Sequence, residues 1–238
     1  MTTASPVALI TGAGRRFGLA LAHALLDEGY QVIAHYHTSK AGVLELEQRG
    51  AHAIAADLAN PAAVNAMITE ITAQYPQLDL LVNNASCFFN NAAVNDDLDA
   101  LQAVFNVHAL APYLLINGLQ DLLQRSDNGL VVNITDIYVD SPSTHYIAYC
   151  AAKAALANLT LSFAKQLAPK VRVNAIQPGP ILFLPEHDSA HRQHVLAQTP
   201  LKLEGGLQPM IDTVRFLRDN RFMTGDSIKV DGGRGLNI

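Results

Sequence analysis

Tyr149 and Lys153 stand four residues apart in the run Tyr149-Cys-Ala-Ala-Lys153, a spacing that puts both on one face if the segment is helical. A neighbouring ammonium favours phenolate, so the pair is expected to lower the tyrosine pKa from about 10 toward the working pH and to deliver a proton. A second group of residues suits an anion. Thr11-Gly12-Ala13-Gly14-Arg15-Arg16-Phe17-Gly18 follows an apolar run, where glycines let backbone N–H groups approach a pyrophosphate at a helix N-terminus. Between Gly29 and Val43 there is no acidic residue to meet a free ribose hydroxyl, whereas His35, His37, Thr38, Ser39 and Lys40 follow the second apolar run. Cations and hydroxyls there, with Arg15 facing them from the glycine turn, favour NADP(H) over NAD.

The elements that must position these residues alternate strand and helix. Strands are expected at 7–10, 31–34, 52–56, 78–82, 129–134, 172–177 and 227–230. Helices are expected at 16–28, 40–49, 60–75, 97–125, 147–168 and 207–219. Strands apolar throughout belong to a parallel sheet covered on both faces, so the expected fold is an α/β doubly wound, mostly parallel, seven-stranded sheet of Rossmann type. Such sheets bind ligands at the carboxyl ends of their strands. The chain of 238 residues is expected to form one domain, with 50% apolar and 16% charged residues excluding disorder. A net charge of −5 gives no reason to expect nucleic acid or an anionic membrane as partner. Two distant cysteines, Cys87 and Cys150, suggest neither a disulfide framework nor a zinc ribbon, and with no basic leader ahead of the first apolar run the expected location is the cytoplasm.

The glycine turn, Asn83-Asn84-Ala85-Ser86, Asn106, the Tyr149/Lys153 pair, Pro178-Gly179 and Val230-Asp231-Gly232-Gly233 together resemble the short-chain dehydrogenase/reductase family along essentially the whole chain. The resemblance implies that Asp57, beside Leu58, meets the adenine amino group. Asn84, Ala85 and Ser86 would frame the adenosine ribose. Gly12, Arg15, Arg16, Phe17, Gly18, Pro178, Gly179 and Ile181 would complete the NADPH site, with Lys153 on the nicotinamide ribose and Asn106 holding a water that links Lys153 to solvent.

One departure from the family bears on the substrate. Thirteen residues before the tyrosine the family usually has a serine that polarises a carbonyl, and here Asn133-Ile-Thr-Asp136 places a carboxylate. Thr135, one residue earlier on a strand, should face the other way. A carboxylate beside a developing alkoxide destabilises it, so a ketone fits poorly and a ring rich in N–H groups fits better. Phe88 offers a stacking platform for such a ring, and Arg16 a planar donor fork. Core packing for Phe88 and turn capping for Asp136 are the plainer alternatives. The set Arg16, Ser86, Phe88, Asp136, Tyr149 and Lys153 resembles the pteridine reductases of the same family. That resemblance implies reduction of a 7,8-dihydropterin, with dihydromonapterin ahead of dihydrobiopterin and dihydrofolate. It also implies a substrate lid near 180–200 and a homotetramer, a dimer being the alternative. A carbonyl reductase such as a 3-oxoacyl reductase is the enzyme rival, and a non-catalytic NADPH sensor the remote one. Glu186-His187-Asp188, His191 and His194 contain zinc-ligand types but read as a solvated lid helix, so no metal is expected.

Overall fold

The computed structural model describes residues 5–184 and 187–238. Seven parallel strands form one sheet in the order β3-β2-β1-β4-β5-β6-β7: β1 Val7–Ile10, β2 Gln31–Tyr36, β3 His52–Ala55, β4 Leu80–Asn83, β5 Gly129–Ile134, β6 Val171–Pro178 and β7 Ser227–Val230. The order reverses between β1 and β4, the switch point at which a doubly wound sheet opens a crevice.

Both faces of the sheet are covered, which is why β1, β4 and most of β5 are apolar in consecutive positions rather than alternating. Leu9, Ile33, Leu81, Val131 and Val173 pack on one side with Met67, Ile71, Leu115, Leu119 and Phe163. These come from α3 Pro61–Gln74, α6 Ala111–Arg125 and α7 Ile147–Leu167. Ala8, Ile10, Val32, Ala34, Val82 and Val132 face the other way, onto Leu21 and Leu25 of α1 Arg16–Asp27 and Val214 and Leu217 of α9 Gln208–Asp219. α2 Lys40–Gln48 lies beside α1. By length and composition α7 is apolar enough to cross a membrane, yet it carries Phe163, Ala164 and Leu167 into the core.

Two elements differ from the sequence expectation in ways that reach the site. The stretch expected as one helix over 97–125 is α5 Leu98–Phe105 and α6 joined by a π turn at Asn106–Leu110, a widening often found at functional sites. β2 runs on to Tyr36 because β3 pairs beside it, His35 against Ile54 and Tyr36 against Ala55. His35 is thereby a strand residue. A short helix, α4 Asn91–Val94, and α8 Ser189–Ala197 complete the helices, each capped by the residue before it: Asn90 accepts from Ala93 N and Asp188 from His191 N.

Candidate active site

The glycine turn is pressed between two neighbouring loops. Thr11 Oγ1 accepts from Asn84 N at 2.9 Å and Ala85 N at 3.0 Å, and Asn84 Nδ2 donates back to Thr11 O at 2.8 Å. A side chain at Gly14 would lie 2.2 Å from Ser39 O, and one at Gly18 2.3 Å from Gly12 O, so the close approach requires glycine at both positions. Arg15, the N-cap of α1, makes no side-chain capping bond, and the first turn has no acid. Its backbone donors and positive dipole end therefore meet no carboxylate of their own, which suits a phosphate. Arg15, His37, Thr38 and Lys40 are exposed around this turn, with Ser39 half-buried.

Three expected cofactor residues sit differently. His35 is not a cation facing a phosphate: its Nδ1 accepts from Gly12 N at 3.1 Å and its Nε2 donates to Ala56 O at 3.1 Å. Burial holds its pKa down at about 4, so it is a neutral brace for the turn. Phe17 and Leu58 bury their side chains in the core and can offer a ligand only their backbone. Asp57 is half-buried, with Oδ1 accepting from Ala59 N at 2.9 Å. Gly179 passes so close to Asp231 that a Cβ would lie 2.7 Å from its Cα, and its N–H donates to Val230 O. Pro178 is half-buried beside it, and Ile181 packs on the core three residues after β6 ends.

The candidate catalytic residues meet where β5 ends against α7. Tyr149 and Lys153 share a face of α7, and the Tyr149 hydroxyl donates to Asp136 Oδ2 at 2.8 Å. Asp136 Oδ1 accepts from Tyr138 N at 2.9 Å, so this carboxylate caps a turn and holds the phenol at once. Thr135 faces away, donating to Ile176 O at 3.0 Å. Lys153 Nζ donates to Ile134 O at 2.6 Å and lies 5.7 Å from the Tyr149 ring centroid.

That geometry overturns the expected lowering of the tyrosine pKa. Burial and the Asp136 carboxylate push the Tyr149 phenol well above its ordinary value. Lys153 lies over the ring and bonds a carbonyl, while the acceptor at the hydroxyl is the Asp136 carboxyl. Burial in turn raises the Asp136 carboxyl and lowers the Lys153 ammonium to about 8. Tyr149 thus keeps its proton at neutral pH and is not a standing phenolate.

Aromatic rings surround this centre. Phe88, 51% exposed, is no core residue: it stacks on Tyr146 at 4.4 Å and meets Tyr149 edge-on at 4.7 Å. Asn106 donates to Ala59 O at 2.8 Å, tying the π turn to the loop of Asp57. Ser86 Oγ lies 2.9 Å from Nε2 of His108, whose ring meets Tyr149 edge-on at 5.3 Å. Arg16, at φ +52, donates to Leu182 O at 2.6 Å and so joins the glycine turn to the segment after β6. Around the start of α8, Phe183, His187 and His191 form an aromatic cluster with Arg192 over Phe183 at 5.5 Å. Among the described residues no group of three His, Cys, Asp or Glu could hold a metal; Glu186 lies outside them.

His108 and Tyr146 were not anticipated. Tyr146 lies three residues before Tyr149, one helical turn away, which was a usable signal. His108 becomes legible only once the π turn is known.

Residues 12–234 match a family model described as enoyl-(acyl carrier protein) reductase. The chain belongs to the short-chain dehydrogenase/reductase family. It is 40% identical over 230 residues to the dihydromonapterin reductase of Citrobacter koseri, covering 96% of each chain. Among solved structures it is similar to the FolM alternative dihydrofolate reductase 1 of Brucella canis complexed with NADP, at 32% identity and TM-score 0.87 over 98% of this chain and 95% of that one. It is also similar to a blue fluorescent protein from a metagenomic library in complex with NADPH, at 30% identity and TM-score 0.86, covering 96% of this chain and 97% of that one.

Proposed function

We infer that this chain is an NADPH-dependent pterin reductase that takes 7,8-dihydromonapterin to its tetrahydro form. The observation that carries the reading is the 2.8 Å bond from Tyr149 to Asp136, which sets a carboxylate where a carbonyl reductase needs a neutral donor.

The glycine turn, Arg15, His37, Thr38, Ser39 and Lys40 would hold the phosphates, Asp57 the adenine, Asn84 and Ala85 the ribose, and Lys153 the nicotinamide ribose. These residues would hold NADPH, whose chemistry there would be hydride donation to C6 of the ring's imine. Tyr149 supplies the balancing proton toward the adjacent ring nitrogen, and its raised pKa keeps that proton in place beforehand. Asp136 orients the phenol and accepts from ring N–H groups. Phe88, backed by Tyr146, presents a face for the flat ring. Arg16 orients the opposite edge of the ring. Asn106 would hold a water that links Lys153 to solvent.

A cavity of about 470 Å³ beside Tyr146 is lined by Asn90, Asn91, Ala92, Asn95 and His145. Its amides favour a hydroxylated pterin side chain over an acyl tail. Exposed apolar residues Phe105, Leu110 and Tyr113 near the π turn, with Ile147 and Leu161 on α7, support a homotetramer built on these helices, checked by light scattering. Two free thiols, Cys87 and Cys150, suit a reducing cytoplasm. NADPH oxidation should be fast with dihydromonapterin, slower with dihydrofolate and negligible with an acetoacetyl thioester; fastest turnover of the thioester would overturn the assignment.

A further inference from the structure

We propose that His108 is a positioning residue that fixes Ser86 as a hydrogen-bond acceptor toward the substrate, so that the site selects a ring presenting an N–H at that point. This rests on the pterin reading above. His108 is 1% exposed, within the π turn, and its Nδ1 lies 2.9 Å from Val104 O. A carbonyl only accepts, so Nδ1 carries the proton and Nε2 offers a lone pair. Burial, helped by the Lys153 ammonium, holds the imidazole pKa down at about 3, so the ring stays neutral at any working pH. The hydroxyl of Ser86, 2.9 Å from Nε2, must then donate its one proton inward.

What Ser86 shows the cleft is consequently lone pairs alone. A freely rotating serine would take either partner. This one meets a ring carbonyl or bare ring nitrogen lone pair to lone pair, and accepts from an amino group or ring N–H, which a dihydropterin carries at several positions. The edge-on contact between His108 and Tyr149 sets the depth of Ser86 relative to the proton donor. Substrate recognition and proton delivery thus share one buried ring.

Three variants test this with dihydromonapterin and NADPH. His108→Asn keeps a donor for Val104 O but is too short to reach Ser86, whereas the longer amide of His108→Gln can place its oxygen where Nε2 stands. His108→Asn should raise the KM for the pterin about three- to tenfold with a smaller change in kcat, His108→Gln should restore most of it, and neither should alter the Kd for NADPH. In a Ser86→Ala background, His108→Asn should add nothing further. A purely structural role would make the two substitutions additive, or would leave Gln no better than Asn, and either result overturns the proposal. If the variants fail to fold, nitrogen-15 NMR of the unaltered protein decides: a protonated Nδ1 on His108 is expected, and a protonated Nε2 overturns the proposal. Failure of the unaltered protein to reduce any dihydropterin would instead overturn the pterin reading and leave the tautomer result standing.

Discussion

The two ends of the sheet treat buried polar groups in opposite ways. At the amino end, Asp79 accepts from Val7 N at 2.7 Å and from Ser126 Oγ at 2.5 Å. Arg172 spreads its guanidinium over Leu217 O, Asn220 O, Asn128 Oδ1 and Arg218 O, and Glu28 pairs with Arg215 and Arg218. At the carboxyl end burial displaces Tyr149, Asp136, Lys153, His35 and His108 from their ordinary pKa values, as it does Tyr30 and Arg172 at the amino end, so the difference lies in which acceptors are left without a partner. The two buried side-chain atoms left without a partner among the described residues, Asn83 Oδ1 and Gln177 Oε1, are at the ends of β4 and β6 on this same side. Leaving a buried acceptor unmade costs about 1–3 kcal/mol. One end is built to be satisfied and the other to be ready, so substitutions should separate stability from chemistry.

The largest expected effect is at Tyr149. Tyr149→Phe removes the proton donor while leaving the ring packed on Phe88 and His108, and kcat should fall by about 10²-fold or more with an unchanged Kd for NADPH. A variant near full activity would assign the proton to Arg16 and solvent.

Acid should strike the carboxyl end first. His35 and His108 have folded pKa values of about 4 and 3, below the ordinary 6.5. Between those values the unfolded chain binds more protons than the folded one, so their contribution is intact above pH 6.5 and is lost as pH falls toward 4. Each is expected to cost about 3 kcal/mol or more over that window. The raised carboxyl of Asp136 acts oppositely, taking up a proton in the folded state. The Tm should drop steeply below pH 6; a flat Tm from pH 7 to 4 would show that the imidazoles are accessible.

At the amino end, Arg172→Met leaves several carbonyls unpartnered and should lower stability by about 2 kcal/mol with kcat unchanged. A loss of kcat at constant Tm would erase the contrast between the ends. The smallest effect is on cofactor choice. Thr38→Asp introduces the acid that the loop after β2 lacks, and should narrow the preference for NADPH over NADH by about tenfold in kcat/KM.

Much of this contrast is legible in the sequence because period and spacing carry it. Apolar runs without alternation required a parallel sheet, and Tyr149 four residues before Lys153 required a shared helix face. What failed turned on a few ångströms of tertiary pairing. His35 looked like a strand-end cation because nothing local shows that β3 extends β2 by two residues and turns the ring inward against Gly12. The direction of the Tyr149 pKa depended on which charge stands at the hydroxyl and which lies over the ring, a distinction between Asp136 and Lys153 that helical spacing cannot make. The π turn that delivers His108 has no local composition signal, since Asn106–Leu110 reads as ordinary helix.

Asp136 carries the proposed selectivity of the site for a pterin. Asp136→Ser restores the family's carbonyl-polarising residue, so the informative measurement is kcat/KM for dihydromonapterin relative to an acetoacetyl thioester, in the unaltered protein and the variant. Loss of a charged partner in a closed cleft is worth about 1.5–3 kcal/mol, so pterin reduction should fall about ten- to a hundredfold while thioester reduction holds or rises. Unchanged pterin turnover in the variant would contradict the account.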